Sequence, residues 1–207
     1  VAWAYMQWFY GQLDSVFVNS EEYRRGWIAR GFAPEKLKIL PRGLDTALFS
    51  PKHRDPKFWQ KFGESNGAIH LLYVGRISKE KDLDVFADAY RQLREEGLPI
   101  RLYFVGDGPY LQALNQALPE AVFTGYLRGK DLAAAYASAD VFVFPSTTDT
   151  FGNVIIEAQA AGLPVIVSDI GGPRKLVTDG VTGLITKALD VADFTSAIRR
   201  LAEDEPL

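Results

Sequence analysis

Short continuous apolar runs recur along this chain, where a half-exposed sheet would show alternating apolar and polar residues. Leu71-Leu72-Tyr73-Val74, Val141–Phe144 and Val165–Val167 are the clearest. Such runs suit strands covered on both faces, the mark of a parallel sheet. The pattern predicts strands at Ser15–Asn19, Leu37–Leu40, Ile69–Val74, Ile100–Val105, Val122–Thr124, Val141–Phe144, Val165–Ser168 and Leu184–Thr186. Between them the apolar period changes to that of a helix. Leu83, Phe86, Ala87, Tyr90 and Leu93 form one stripe, with Arg91, Arg94, Glu95 and Glu96 outside it. Helices are also predicted over about Ala2–Leu13, Ser20–Arg30, Ala133–Ala139, Val154–Ala161 and Val191–Ala202, with a short one around Phe58–Phe62. Strand–helix alternation repeated this often implies βαβ units and an α/β, Rossmann-like doubly wound parallel sheet.

The turn formers of PRGLDTALFSP (Pro41–Pro51) mark the expected break in the chain. A helix, a strand and a second helix precede it, and a complete α/β domain follows. Composition adds constraints. The 207 residues are 47% hydrophobic and 24% charged, ordinary for a globular protein. A chain of this length buries roughly two-thirds of its unfolded surface, so a core forms without disulfide or metal. With no cysteine, thiolate catalysis and zinc–sulfur sites are excluded. A net charge of −3 gives nucleic-acid binding no global support. No apolar run approaches the ~20 residues that span a bilayer. The first segment lacks a basic leader and a small-residue cleavage site, so a signal peptide is not expected. It starts without Met in a helical pattern, which suggests a piece of a longer protein.

In open α/β sheets, ligands bind beyond the carboxyl ends of the strands. After Ile69–Val74 comes Gly75-Arg76-Ile77-Ser78-Lys79-Glu80-Lys81, which presents two cations near a helix start. That arrangement suits phosphate oxygens, although a solvated basic turn accounts for the same residues. Gly106-Asp107-Gly108-Pro109 reads better as a structural turn than as a dinucleotide fingerprint, whose third glycine is missing. After Val141–Phe144, polar residues lead through Phe151-Gly152-Asn153 into an Ala-rich helix. Asp149 lies in this loop, and Glu157 falls about one and a half turns into the helix. Both can accept hydrogen bonds from sugar hydroxyls; a helix cap and an ordinary helix carboxylate are the plainer alternatives. Ile155, Ile156 and Ala158 around Glu157 make an unpaired carboxylate there costly. Gly171-Gly172-Pro173 permits close backbone approach to a ligand, and a plain loop explains it equally well. Neither His53 nor His70 has a partner at metal-ligand spacing.

Taken in order, PRGLDTALFSP, YVGRISKEKDLDVFADAY, LYFVGDGP, TGYL, LAAAYASADVFVFPS, DTFGNVIIEAQAAGLPVIVSD and DGVTGLI resemble the C-terminal half of a retaining glycosyltransferase of the GT-B architecture, family 4. The form DTFGNV is similar to the branch holding sulfolipid synthases and nucleotide-diphosphate-mannose-dependent mannosyltransferases. The resemblance implies that Arg76 and Lys81 neutralise a donor diphosphate, with Gly75 in the same turn. It implies that Glu157 accepts the ribose hydroxyls and that Asp149, the first acid of an E-x7-E pattern, contacts the donor sugar. The amides of Phe151, Gly152, Asn153 and Val154 would contact sugar and diphosphate, and Tyr126 and Leu127 would lie near the base. Asp149 stands where Glu is commoner, which shortens the reach by one methylene. Lys175 stands where many relatives carry Glu, and no catalytic role is assigned to it.

By the same resemblance, residues 1–38 would be the tail of an N-terminal acceptor domain with the interdomain segment, and residues 39–207 a donor-binding domain without its final crossover helix. The partner implied is a nucleoside-diphosphate-sugar donor, with no metal, no cofactor and no nucleic acid. The acceptor, a glycan or a membrane lipid, would be supplied by the missing domain. The location implied is cytoplasmic, with peripheral binding at the inner membrane face left open. A non-catalytic nucleotide-sugar-binding module and an epimerase of the same architecture are the alternatives. The fragment alone is expected to be inactive.

Overall fold

The computed structural model describes residues 2–18, 20–40, 43–63 and 67–203. Asn19, at the end of the first expected strand, and Pro41 and Arg42, in the expected break, lie outside them. The chain divides into two compact units, Val1–Leu44 and Asp45–Leu207. The boundary expected between 38 and 39 falls within β2 (Leu37–Ile39), whose parallel partner β1 (Val16–Val18) is in the first unit.

In the first unit, α1 (Ala2–Gly11) and α2 (Glu21–Ile28) accompany that pair of strands. Ser20 caps α2, its hydroxyl accepting from the Tyr23 amide at 3.3 Å. Val16, Val18, Phe32 and Leu37 make a small core, with Met6, Tyr10, Trp27 and Ile28 packed on it. The aromatic residues of α1 therefore divide. Tyr10 and Trp3 both meet Trp27 edge-on, though Trp3 stays partly open to solvent, whereas Tyr5, Trp8 and Phe9 are exposed.

The second unit holds six parallel strands: β3 (Ile69–Val74), β4 (Ile100–Val105), β5 (Val122–Gly125), β6 (Val141–Phe144), β7 (Val165–Ser168) and β8 (Gly183–Thr186). Their order is β5-β4-β3-β6-β7-β8, that of a doubly wound sheet. The helices are α3 (Leu83–Glu95), α4 (Leu111–Ala117), α5 (Gly129–Ser138), α6 (Asn153–Ala160) and α7 (Val191–Glu203). Leu71, Leu72, Tyr73, Val141, Phe142, Val143 and Val165–Val167 have no exposed surface, so both faces of the central strands are covered. The segment expected as a short helix at Phe58–Phe62 is a 3-10 turn; Trp59 anchors it by donating from Nε1 to the Ser138 carbonyl at 2.9 Å.

The strand ends on the carboxyl side are drawn together by glycine. Gly75 donates to the Val105 carbonyl at 3.0 Å, and Gly106 to that of Gly125 at 2.9 Å. A Cβ on Gly106 would lie 2.0 Å from the Gly75 oxygen, and one on Gly108 would lie 2.1 Å from that of Ile77. The Gly106–Gly108 turn thus serves backbone packing. Gly106→Ala is expected to destabilise the chain by at least about 2 kcal/mol, because neither carbonyl nor strand can yield. Urea denaturation checks this; a midpoint equal to the parent's contradicts it.

Candidate functional site

Strand order reverses between β3 and β6, so the loops after these two neighbours run apart and leave a crevice at their carboxyl ends. From β3, Ile77 and Ser78 are buried and hold the turn down, while the Arg76 side chain stays 65% exposed. Arg76 lies 4.0 Å from Glu80 and is otherwise turned to solvent. The buried Tyr73 donates its hydroxyl to the Arg76 carbonyl at 2.9 Å. Burial, and after it the charges of Asp149 and Glu80, push the Tyr73 phenol far above its ordinary pKa, so it remains a donor.

From β6, the loop reaches back to the β3 turn at several points. Lys81 Nζ donates to Asp149 Oδ2 at 2.7 Å, with the two side chains only 16% and 24% exposed. The Thr148 hydroxyl donates to the Glu80 carbonyl at 2.9 Å. Asp82 Oδ2 accepts from both the amide (3.0 Å) and the hydroxyl (2.7 Å) of Thr147. Two of the residues expected from sequence, Lys81 and Asp149, are thereby in direct contact.

Gly152, at φ 88°, turns the chain into α6, which begins at Asn153. A left-handed φ of this kind is open to glycine at little cost. Phe151 and Val154 are half-buried beside it and Asn153 is exposed. Glu157 is half-buried one turn into α6, and its Oε2 accepts from the hydroxyl of the fully buried Tyr136 at 3.0 Å. Tyr126 (66% exposed) and the half-buried Leu127 follow the edge strand β5. With β4 intervening, β5 stands on the order of 10 Å from β3.

In the sequence, the Gly171-Gly172 loop is equally open to ligand approach and to a plain structural role. Its close approach is to protein backbone: Gly172 donates to the Asp149 carbonyl at 2.7 Å, and a Cβ there would lie 2.1 Å from the Thr150 oxygen. The pair fixes the loop that carries Asp149. The histidines have structural partners, His53 on the Ala47 carbonyl and His70 on Asp140 at the amino end of the sheet. Among the described residues, no group of three or more acidic or histidine side chains is placed to hold a metal ion.

Asp82, Thr147 and Tyr136 were not singled out from the sequence. Asp82 precedes α3 and reads as an ordinary helix cap, and Tyr136 reads as core. In neither case does spacing reveal the distant partner.

Burial raises the Glu157 carboxyl pKa, against the Tyr136 hydrogen bond, which lowers it. A carboxyl whose folded pKa lies above its unfolded value binds its proton more readily in the native state. Stability therefore falls as pH rises from the unfolded pKa through the folded one. Glu157→Gln, which keeps an acceptor for Tyr136, is expected to be more stable than the parent at pH 7. Solvent screening holds the gain under about 1 kcal/mol, and it vanishes at acid pH. Denaturation at a series of pH values tests this; a difference independent of pH contradicts it.

Residues 68–204 match the family Glycosyl transferases group 1. Sulfoquinovosyl transferase SQD2 of Arabidopsis thaliana is 35% identical, over 98% of this chain and 40% of its own length. A GDP-mannose-dependent alpha-mannosyltransferase of Mycobacterium tuberculosis is 38% identical, over 93% of this chain and 48% of its own. The crystal structure of Anabaena HepE with UDP and glucose superimposes with a TM-score of 0.79 at 26% identity, covering 92% of this chain and 54% of that one. This chain thus spans about half the length of the relatives it matches. Its α/β fold with the six-stranded parallel sheet matches solved GT-B glycosyltransferase structures, and the chain belongs to the group 1 glycosyl transferases.

Proposed function

We propose that this chain is the donor-binding part of a retaining glycosyltransferase, which passes a sugar from a nucleoside diphosphate to an acceptor hydroxyl. The observation that carries the reading is the Lys81–Asp149 contact at the switch point, with exposed Arg76 on the same turn and Glu157 one turn into the facing helix. Cations beside carboxylates suit a ligand that combines phosphate with sugar hydroxyls. Relatives support the same class: one is named for dependence on GDP-mannose, and HepE is solved with UDP-glucose.

In this reading Arg76 and Lys81 neutralise the diphosphate, Asp149 orients the donor sugar and Glu157 accepts the ribose hydroxyls. The acceptor oxygen attacks C1 from the face the diphosphate leaves. The C1–O bond to the diphosphate breaks as the new one forms, and the acceptor proton passes to the departing diphosphate. The protein supplies no nucleophile; charge stabilisation and positioning carry the rate. No metal is assigned a part, since the two cations fill that role. The acceptor, a lipid or glycan hydroxyl, is assigned to residues of the longer protein, and the location to the cytoplasm. A binding module or an epimerase is not favoured, because the relatives named above are transferases.

Arg76→Ala in the full-length enzyme is expected to lower kcat/KM by about 10²–10³-fold, as for removal of one stabilising donor. An unchanged kcat/KM sinks the assignment. In calorimetry this chain is expected to bind nucleoside diphosphates and nucleotide sugars but not the bare nucleosides; equal binding of all three contradicts a diphosphate site.

A further inference from the structure

Asp82 is one of two non-glycine residues with positive φ among those described, at φ 55°, ψ 33°. Aspartate tolerates the left-handed region better than most residues, but still at a cost, and such strain persists where surrounding contacts impose it. The contacts are visible. Asp82 occupies the N-cap position of α3, yet its side chain makes no capping hydrogen bond to that helix. Its Oδ2 instead receives both the amide and the hydroxyl of Thr147, 65 residues away on the loop after β6. A residue type that normally closes its own helix is here spent across the crevice.

The position of this link gives it meaning. Lys81 immediately precedes Asp82, and Asp149 stands two residues beyond Thr147. The Asp82–Thr147 link therefore ties together the two loops in which residues one and two positions away form the Lys81–Asp149 pair. We infer that Asp82 is a positioning residue for the donor site: through Thr147 it sets the separation of the ammonium that takes the diphosphate from the carboxylate that takes the sugar. This rests on the donor-site reading above. Because a single oxygen receives both hydrogen bonds, the link needs an acceptor and not a charge.

The test compares Asp82→Gly, Asp82→Asn and Thr147→Val in the 207-residue chain. Each is titrated by calorimetry with UDP, GDP, UDP-glucose and GDP-mannose, alongside its thermal unfolding. Glycine keeps the left-handed backbone and removes the acceptor, so Asp82→Gly is expected to fold normally but bind the preferred nucleotide sugar about tenfold more weakly. Asn keeps an acceptor in place and is expected to restore affinity to within about twofold of the parent. Combining Asp82→Gly with Thr147→Val is expected to add no further loss, since both break one link. Parental affinity in Asp82→Gly, a loss in Asp82→Asn as large as in Asp82→Gly, or full additivity of the pair would each overturn the inference while leaving the donor site standing. Failure of the unaltered chain to bind any of the four ligands would overturn the donor-site reading, and this inference with it.

Discussion

The parallel sheet whose central strands are buried on both faces is the constraint from which the rest of the second unit follows. Leu71–Tyr73, Val141–Val143 and Val165–Val167 leave no strand face on which a polar group could work. Polar chemistry is confined to the strand ends, where loops meet water. The order change between β3 and β6 then selects one place among those ends, because only there do neighbouring loops diverge. The glycines reinforce this. Gly75, Gly106 and Gly125 bring the ends of β3, β4 and β5 within backbone hydrogen-bonding distance, and Gly172 seats its loop on Asp149 and Thr150. The crevice is therefore walled by backbone that cannot readily move.

Much of this was legible in the sequence, and the reason is the same burial. Ile69–Val74, Ile100–Val105, Val141–Phe144 and Val165–Ser168 have the bounds expected, since a continuous apolar run ends where burial ends. Elements whose ends depend on glycine were harder. The first turn of α5 starts at Gly129, φ 52°, and reads as a breaker, while β8 starts at Gly183, where a Cβ would meet the Val165 carbonyl at 2.1 Å. Phe58–Phe62 has a helical apolar pattern but settles as a 3-10 turn, where the buried Trp59 donates to the Ser138 carbonyl and packs on Tyr103.

The candidate site divides along a similar line. Residues that offer charge at a strand end, Arg76, Lys81 and Asp149, declare themselves by type and place. Their supports do not. Tyr136 approaches Glu157 across 21 positions, and Asp82 approaches Thr147 across 65. Local sequence gives each a sufficient local role, in the core or at a helix cap. Such long-range hydrogen bonds arise from topology, and periodicity carries no trace of them.

The Lys81–Asp149 pair gives the site its economy. Half-buried charges in contact gain from each other but pay for lost hydration, and removing one partner leaves the other stranded. In the proposed reading, a diphosphate that draws Lys81 away would leave Asp149 uncompensated in a poorly solvated crevice. A ligand that also offers sugar hydroxyls satisfies Asp149 as it takes Lys81; a bare diphosphate does not. On that reading, recognition of the two halves of the donor would be coupled through one ion pair, which would favour the intact nucleotide sugar over its spent product. On the same reading the shorter aspartate would sharpen the coupling, because its reach is bounded by the loop that Gly172 and Thr147 hold in place.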